Sequence, residues 1–131
     1  MLRLIHLFLI FLFVYIAWLQ LNDPDPLFWA SLYLLTSLAP LTHLINQSFR
    51  GRHYLLGLAS GYCLAGIAMV FSGATNYLPH MGQESLLEDM SADKPYIEEM
   101  RELLGTLIAL ATVAVYSWLA YGKQPSDTKI K

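Results

Sequence analysis

The chain has 131 residues, of which 56% are hydrophobic and 14% charged, with a formal net charge of -2 at pH 7. This length supports one domain. The charged residues all lie outside four long apolar stretches, which excludes a soluble globular domain, because a soluble core helix carries charge on its wet side. Without a basic stripe among exposed aromatics, nucleic-acid binding is also excluded.

The four apolar stretches contain no Asp, Glu, Lys or Arg and cover residues 4–21, 27–45, 54–72 and 103–121. Each is long enough to cross the hydrocarbon core of a bilayer, which is about 30 Å thick. We predict an all-α integral membrane four-helix bundle that forms one domain over residues 1–131, with a long loop at 73–102 and a tail at 122–131. The first stretch is interpreted as a retained helix, because no small-x-small cleavage pattern precedes Asn22.

Orientation follows from the basic residues, which are retained on the cytoplasmic side of a membrane. Lys94 and Arg101 lie on one side of the predicted bundle, and the other side holds Arg3, Arg50, Arg52, Lys123, Lys129 and Lys131. The sequence therefore predicts that both termini are cytoplasmic and that the loop 73–102 is outside. The expected location is a cell membrane, either plasma or bacterial inner.

Within the spans, aromatic side chains near the ends are expected to anchor the helices at the headgroup level: Trp18, Trp29, Tyr54, Trp118 and Tyr121. Pro40 should kink the second span, and Thr36 or Ser37 should help to satisfy the carbonyls that the proline frees. Helix contacts in lipid depend on small residues. The expected packing residues are Gly57, Gly61, Ala65, Gly105 and Ala109.

The long loop has two features that predict local structure. Leu86, Leu87 and Met90 share one helical face, so residues 84–90 are expected to form a short interfacial helix. Asp93 is expected to cap a further helix with Pro95 in its first turn, and this helix continues into the fourth span.

A first polar cluster, Gln20-Leu21-Asn22-Asp23-Pro24-Asp25-Pro26, joins the first two spans. Capping accounts for part of it, with Asn22 ending one helix in a left-handed conformation and Asp25 capping the next. Capping leaves Asp23 and Gln20 unexplained. Polar groups at this depth usually face the bundle and have partners there.

A second polar cluster, Glu98-Glu99-Met100-Arg101-Glu102, enters the fourth span. Solvated local pairs are sufficient to explain Glu98 and Glu99. Local pairs do not explain Arg101, because a cation near a helix N-terminus opposes the macrodipole and requires a nearby anion. We predict that Arg101 pairs with Asp23 or Asp25 across the bundle.

Together these segments, with Trp29, Tyr33, Leu103 and Gly105, resemble the paired signatures of the transmembrane protein 220 family, whose members are small multi-pass membrane proteins. The resemblance covers the four-span layout. It implies that Asn22, Asp23, Arg101 and Glu102 belong to one site, and it implies no particular reaction or ligand.

The chemistry of this site is constrained by what the sequence lacks. The histidines and the single cysteine, Cys63, form no zinc ligand pattern, and no nucleophilic triad or phosphate loop is present. We expect no metal and no cofactor. An oxygen site for a hard cation is chemically feasible from Gln20, Asp23, Asp25 and Glu102, with Arg101 competing for the same oxygens.

Three hypotheses for function follow. The leading one is a non-enzymatic protein whose outer polar cluster stabilises the bundle or recognises a partner, lipid or small ligand. The alternative is an oligomeric carrier or channel component that handles a cation or proton, and the third is an outer-face enzyme using carboxylates. Besides the lipid bilayer, the expected partner is a second copy or another membrane protein.

Overall fold

The computed structural model describes residues 1–45, 48–89 and 91–122, and these residues form four long helices. The helices are α1 (Leu2–Leu19), α2 (Pro26–Ile45), α3 (Arg52–Thr75) and α4 (Pro95–Tyr121), with short 3-10 turns at Gln20–Asn22 and Leu78–His80. All four helices are long and apolar enough to cross a membrane. The predicted all-α membrane bundle is therefore confirmed.

The two ends of the bundle differ in what they contain. One end, here called the loop end, holds the turn between α1 and α2 and the long connection between α3 and α4. The opposite end holds the start of α1 and the short connection between α2 and α3. There His6 of α1 contacts Tyr116 of α4 through its ring nitrogen at 2.5 Å, and Arg52 of α3 donates to His43 of α2 at 2.8 Å.

Helix α2 is the central element, because it contacts α1, α3 and α4. Its buried side chains include Trp29, Leu32 and Tyr33. Trp29, which is only 2% exposed, is therefore a core residue, and its predicted role as a headgroup anchor is wrong. The other predicted anchors lie on the surface, as that role requires: Trp18, Tyr54, Trp118 and Tyr121.

The helical hydrogen bonding around Pro40 differs from the prediction. Helix α2 continues through Pro40, whose missing N–H would otherwise bond to the Thr36 carbonyl. The Thr36 hydroxyl instead donates to the Leu32 carbonyl at 2.9 Å, and Ser37 donates to the Leu34 carbonyl at 2.6 Å. Both hydroxyls therefore donate to other carbonyls of α2, and neither donates to the Thr36 carbonyl that the proline frees.

Helices α3 and α4 pack along a different face of α3 from the one predicted. Gly57, Gly61 and Ala65 lie on its exposed side, and a side chain added at either glycine would meet no atom within 4 Å. The buried positions of α3 are instead Arg52, Leu56, Ala59, Cys63, Gly66, Val70 and Ala74. On α4, Gly105 and Ala109 do face the bundle, with Ala109 fully buried.

The connections at the loop end also correct three predictions. Within the described chain the only positive backbone φ belongs to Gly82, so Asn22 is not left-handed. Residues 84–89 form turns instead of an interfacial helix, and Met90 lies outside the described residues. Helix α4 begins at Pro95 with Lys94 at its N-cap, one residue after the predicted cap Asp93.

Candidate functional site

The turn between α1 and α2 positions the first polar cluster. A 3-10 turn at Gln20–Asn22 closes when the Asp23 N–H donates to the Gln20 carbonyl at 3.0 Å. Asp23 then adopts an extended backbone, with φ -79° and ψ 160°. Pro26 begins α2, in keeping with the preference of proline for the first helical position. The Asp23 side chain is thereby held at the loop end of the bundle.

Helix α4 supplies the second cluster to the same place. Glu98, Arg101 and Glu102 are spaced i, i+3 and i+4, so they share one face of the helix. This face borders a cavity of about 460 Å³ between α1, α2 and α4. The residues that line it are Ile16, Leu19, Gln20, Asp23, Tyr33, Leu87, Glu88, Asp89, Glu98, Arg101, Glu102 and Gly105. We call this cavity the polar pocket.

Three carboxylates converge in the polar pocket, one from the α1–α2 turn and two from α4. One oxygen each of Asp23, Glu98 and Glu102 lies within 4.8 Å of the others, which makes them the group among the described residues that could hold a metal ion. Glu98 Oε1 is buried and has no hydrogen-bond partner in the described chain. Burial raises the pKa of the Asp23 carboxyl, and the nearby Arg101 cation opposes that rise.

Arg101 lies in the polar pocket, but it does not form the predicted ion pair. Its guanidinium donates to the backbone carbonyl of Glu88 at 3.5 Å. The ion pairs shorter than 4.0 Å found in residues 1–45, 48–89 and 91–122 belong to Lys94. Arg101 therefore acts on Asp23 through space, because the connection between α3 and α4 offers a carbonyl that is closer than the carboxylate.

The remaining predicted site residues lie beside the polar pocket. A neighbouring cavity of about 220 Å³ is lined in part by Asp25, Trp29 and Glu99, and it shares Glu98 and Glu102 with the polar pocket. Asn22 is exposed and lines neither cavity. Nine of the ten predicted residues thus line one or both of two adjoining cavities, and the tenth, Asn22, lies outside them.

Two glycines allow the close packing that forms these cavities. The hydroxyl of Tyr33 occupies the space that a Cβ at Gly105 would need. The carboxylate of Glu99 similarly occupies the space beside Gly73, so a Cβ there would overlap it. Gly105 is the more constrained of the two, because the Tyr33 hydroxyl is carried on a rigid ring, whereas the Glu99 carboxylate beside Gly73 ends a flexible side chain that can move.

The long connection forms one wall of the polar pocket, and the sequence did not reveal its contribution of Leu87, Glu88 and Asp89. Lys94 binds this wall through its amine, at 3.3 Å from Glu84 and 3.1 Å from Glu88. The available signal in the sequence is a lysine among many acidic residues, a pattern that indicates orientation but does not identify which carboxylates the lysine binds.

Glu84 is the main point where this wall is attached to the helices. Its carboxylate accepts a hydrogen bond from the Tyr96 hydroxyl at 2.6 Å, and its backbone carbonyl accepts one from Tyr77 at 2.7 Å. The Tyr96 hydrogen bond and the Lys94 cation lower the pKa of Glu84. Hydrogen bonds to Glu88 and Glu84 raise the pKa of Lys94.

Comparison with known proteins places the chain in a membrane-protein family. The sequence pattern described as "Transmembrane family 220, helix" matches residues 12–118, which cover the second half of α1, all of α2 and α3, most of α4 and both polar clusters. No curated protein and no solved structure matches the chain. With its four apolar helices and a match over most of its length, the chain belongs to transmembrane family 220 and is an integral membrane protein.

Proposed function

We propose that the polar pocket binds a small, positively charged ligand at the outer face of the membrane, and that the protein acts by recognition and not by catalysis. The observation that carries this proposal is the state of Glu98 Oε1, which is buried without a hydrogen-bond partner among the described residues. An anionic oxygen that loses water without gaining a donor is costly. A bound cation would offset that cost.

The geometry of the acidic oxygens supports a cation as the ligand. Oxygens bound to Ca²⁺ lie about 2.3 to 2.6 Å from the ion, so two on opposite sides are about 5 Å apart. The oxygens of Asp23, Glu98 and Glu102 are within 4.8 Å of one another, which fits that span. Gln20 also lines the cavity and adds an amide oxygen.

The position of Arg101 also favours an external ligand. The guanidinium donates a hydrogen bond to the Glu88 backbone carbonyl, and it forms no ion pair shorter than 4.0 Å with the three converging carboxylates. The described lining of the polar pocket holds five acidic side chains against this one basic side chain, which gives the cavity a negative potential. A small cation would therefore be attracted to it.

Recognition is favoured over passage across the membrane by the apolar centre of the bundle. Between the polar pocket and the opposite end, the buried side chains of the described core include Ala39, Leu56, Ala59 and Val113. The buried hydroxyls nearby, those of Thr36, Ser37 and Thr106, each donate to a carbonyl of their own helix, and the buried polar residues of the described chain include no Asp or Glu. The carrier hypothesis would need a pathway formed between copies of the chain.

The test is thermal unfolding of the purified protein in detergent, with CaCl₂, MgCl₂ or choline chloride compared with NaCl at equal ionic strength. We expect at least one of the three cations to raise the Tm saturably, because a ligand at 100 times its Kd stabilises a protein by about 2.7 kcal/mol. Glu98→Gln should abolish this response. It should also raise the Tm without ligand, since it removes one of several crowded negative charges.

Asp93→Asn is the matched control, because Asp93 is exposed and lines neither cavity. This variant should keep the full response to the cation. The proposal fails if the wild-type Tm responds to the three salts as it does to NaCl, or if Asp93→Asn loses the response as completely as Glu98→Gln. Destabilisation by Glu98→Gln without any cation response would assign the cluster to bundle stabilisation alone.

A further inference from the structure

A second charged cavity lies at the opposite end of the bundle from the polar pocket. It has a volume of about 290 Å³ and lies between the α2–α3 connection and the end of α4. The residues that line it are Ser48, Phe49, Arg50, Arg52, His53 and Ala120. Its described lining holds two arginines and a histidine with no carboxylate, so its charge is opposite to that of the polar pocket. We call it the basic cavity.

Its two arginines differ in how they are held. Arg52 is only 4% exposed, and its Nη2 donates to His43 Nδ1 at 2.8 Å. That hydrogen bond orients the planar guanidinium, whose positive charge lies in the wall of the cavity. Arg50, which also lines the cavity, is exposed. The arrangement combines a buried cation with an exposed one in the same lining.

The backbone adds to the positive potential of the basic cavity. Helix α3 begins at Arg52, has Gly51 as its N-cap without a side-chain cap hydrogen bond, and carries no acidic residue in its first turn. The first N–H groups of a helix lack partners within the helix, and its N-terminus bears a partial positive charge. An anion in the cavity would interact favourably with this terminus and with the positive charge of the exposed Arg50.

The surrounding aromatic residues indicate the depth of the basic cavity. Tyr54, Trp118 and Tyr121 are all more than half exposed near this end of the bundle. Such side chains are typical of the headgroup level of a membrane. The ring of His53, which lines the cavity, lies 4.9 Å from that of Tyr121. The basic cavity is therefore at the depth where lipid phosphates are found.

We propose that the basic cavity binds a phosphate group, supplied by the headgroup of an anionic phospholipid. Arginine recognises phosphate through paired N–H donors, and basic pockets at the ends of membrane helices are suited to anionic headgroups. The shared chemistry is the phosphate anion, which could also come from soluble inorganic phosphate. The lipid is favoured because the cavity lies beside exposed membrane-facing aromatics.

The test uses the purified full chain in detergent, with Tm followed during titration with phosphatidic acid, phosphatidylcholine or inorganic phosphate. We expect a saturable rise in Tm with phosphatidic acid and a much smaller one with zwitterionic phosphatidylcholine. Arg50→Gln should weaken the apparent affinity for phosphatidic acid roughly fivefold, the contribution of one arginine near an anionic lipid surface. His53→Gln should reduce it less.

The matched control is Arg3→Gln, because Arg3 is exposed at the same end of the bundle but outside the cavity lining. This variant should bind phosphatidic acid like the wild type. Equal shifts with both lipids, or equal losses for Arg3→Gln and Arg50→Gln, would overturn the proposal. A saturable Tm rise with inorganic phosphate that Arg50→Gln also weakens would support the phosphate site and assign it to a soluble source.

Discussion

At the residue scale, Gly61 and Gly105 look alike in the sequence but have different surroundings in the bundle. A Cβ at Gly105 would overlap the Tyr33 hydroxyl, whereas a Cβ at Gly61 would meet nothing within 4 Å. Small residues on a membrane helix therefore mark a contact only where a neighbouring side chain fills the space. The periodic pattern of glycines along α3 did not contain that information.

We expect Gly105→Ala to destabilise the protein by about 1 to 3 kcal/mol, the usual cost of forcing a methyl group into packed surroundings. Gly61→Ala is the matched control and should be neutral, or more stable by up to about 1 kcal/mol because alanine favours a helix. Thermal unfolding in detergent measures both. Equal Tm values for the two variants would contradict the packing of Tyr33 against Gly105.

Arg101 gives a second prediction at this scale. Since it acts on Asp23 without an ion pair shorter than 4.0 Å, the coupling between Arg101→Gln and Asp23→Asn should be about 1 kcal/mol or less. A direct buried pair would lose about 3 to 5 kcal/mol when one partner is removed. A double-mutant cycle on Tm and unfolding free energy separates these cases, and strong coupling would restore the original pairing hypothesis.

At the scale of elements, the connection between α3 and α4 is attached to the bundle by charge and hydrogen bonds at Glu84. The pKa of Glu84 is lowered below its ordinary 4.5, so the stabilisation is fully present above that pH and is lost as the pH falls through the lower value. The pKa of Lys94 is raised above 10.5, so its contribution is lost only as the pH rises through that higher value. The connection should therefore stay attached at neutral pH and loosen in acid.

Hydrogen exchange of the backbone around residues 82–89 is the appropriate measurement. We expect exchange to speed up below pH 4.5 after correction for the intrinsic pH dependence of the amides. Tyr96→Phe removes the largest cause of the lowered Glu84 pKa and should move this transition to higher pH. Tyr54→Phe, at an exposed position on the far end of the bundle, should leave it unchanged. Protection that is independent of pH in the wild type would contradict the attachment.

At the scale of the whole molecule, the loop end and the opposite end carry cavities of opposite charge, one lined by Asp23, Glu98 and Glu102 and the other by Arg50 and Arg52. This separation agrees in sign with the rule that basic residues remain in the cytoplasm. It predicts that the polar pocket faces outside and that the basic cavity meets the inner leaflet, whose anionic lipids would supply the phosphate.

Reporter fusions test this orientation directly. A reporter placed after Arg52 or after Lys131 should be cytoplasmic, and one inserted at residues 82–89 should be external, because the basic residues of the short connections determine the topology. The reverse pattern would place the polar pocket inside the cell. It would then contradict both the outer-face ligand and the inner-leaflet lipid.

The sequence alone determined the fold class and the grouping of elements at each end. Long charge-free stretches can only be accommodated as membrane helices, and helices joined by short connections alternate in direction. That reasoning brought Asp23 and Glu102 to the same end, where they line one cavity. Hydrophobic length and chain connectivity are local properties, so they can be derived from one sequence.

Only the tertiary structure decided which faces of the helices meet and which polar groups become neighbours. The rotation of each helix depends on side chains from other helices, so Trp29 is buried by its neighbours and Gly57 is exposed. The connection between α3 and α4 brought Glu88 within reach of Arg101, a contact between residues thirteen apart that no periodic pattern encodes. Nearly uniform apolar helices carry little signal for rotation, because lipid and protein interior solvate them alike.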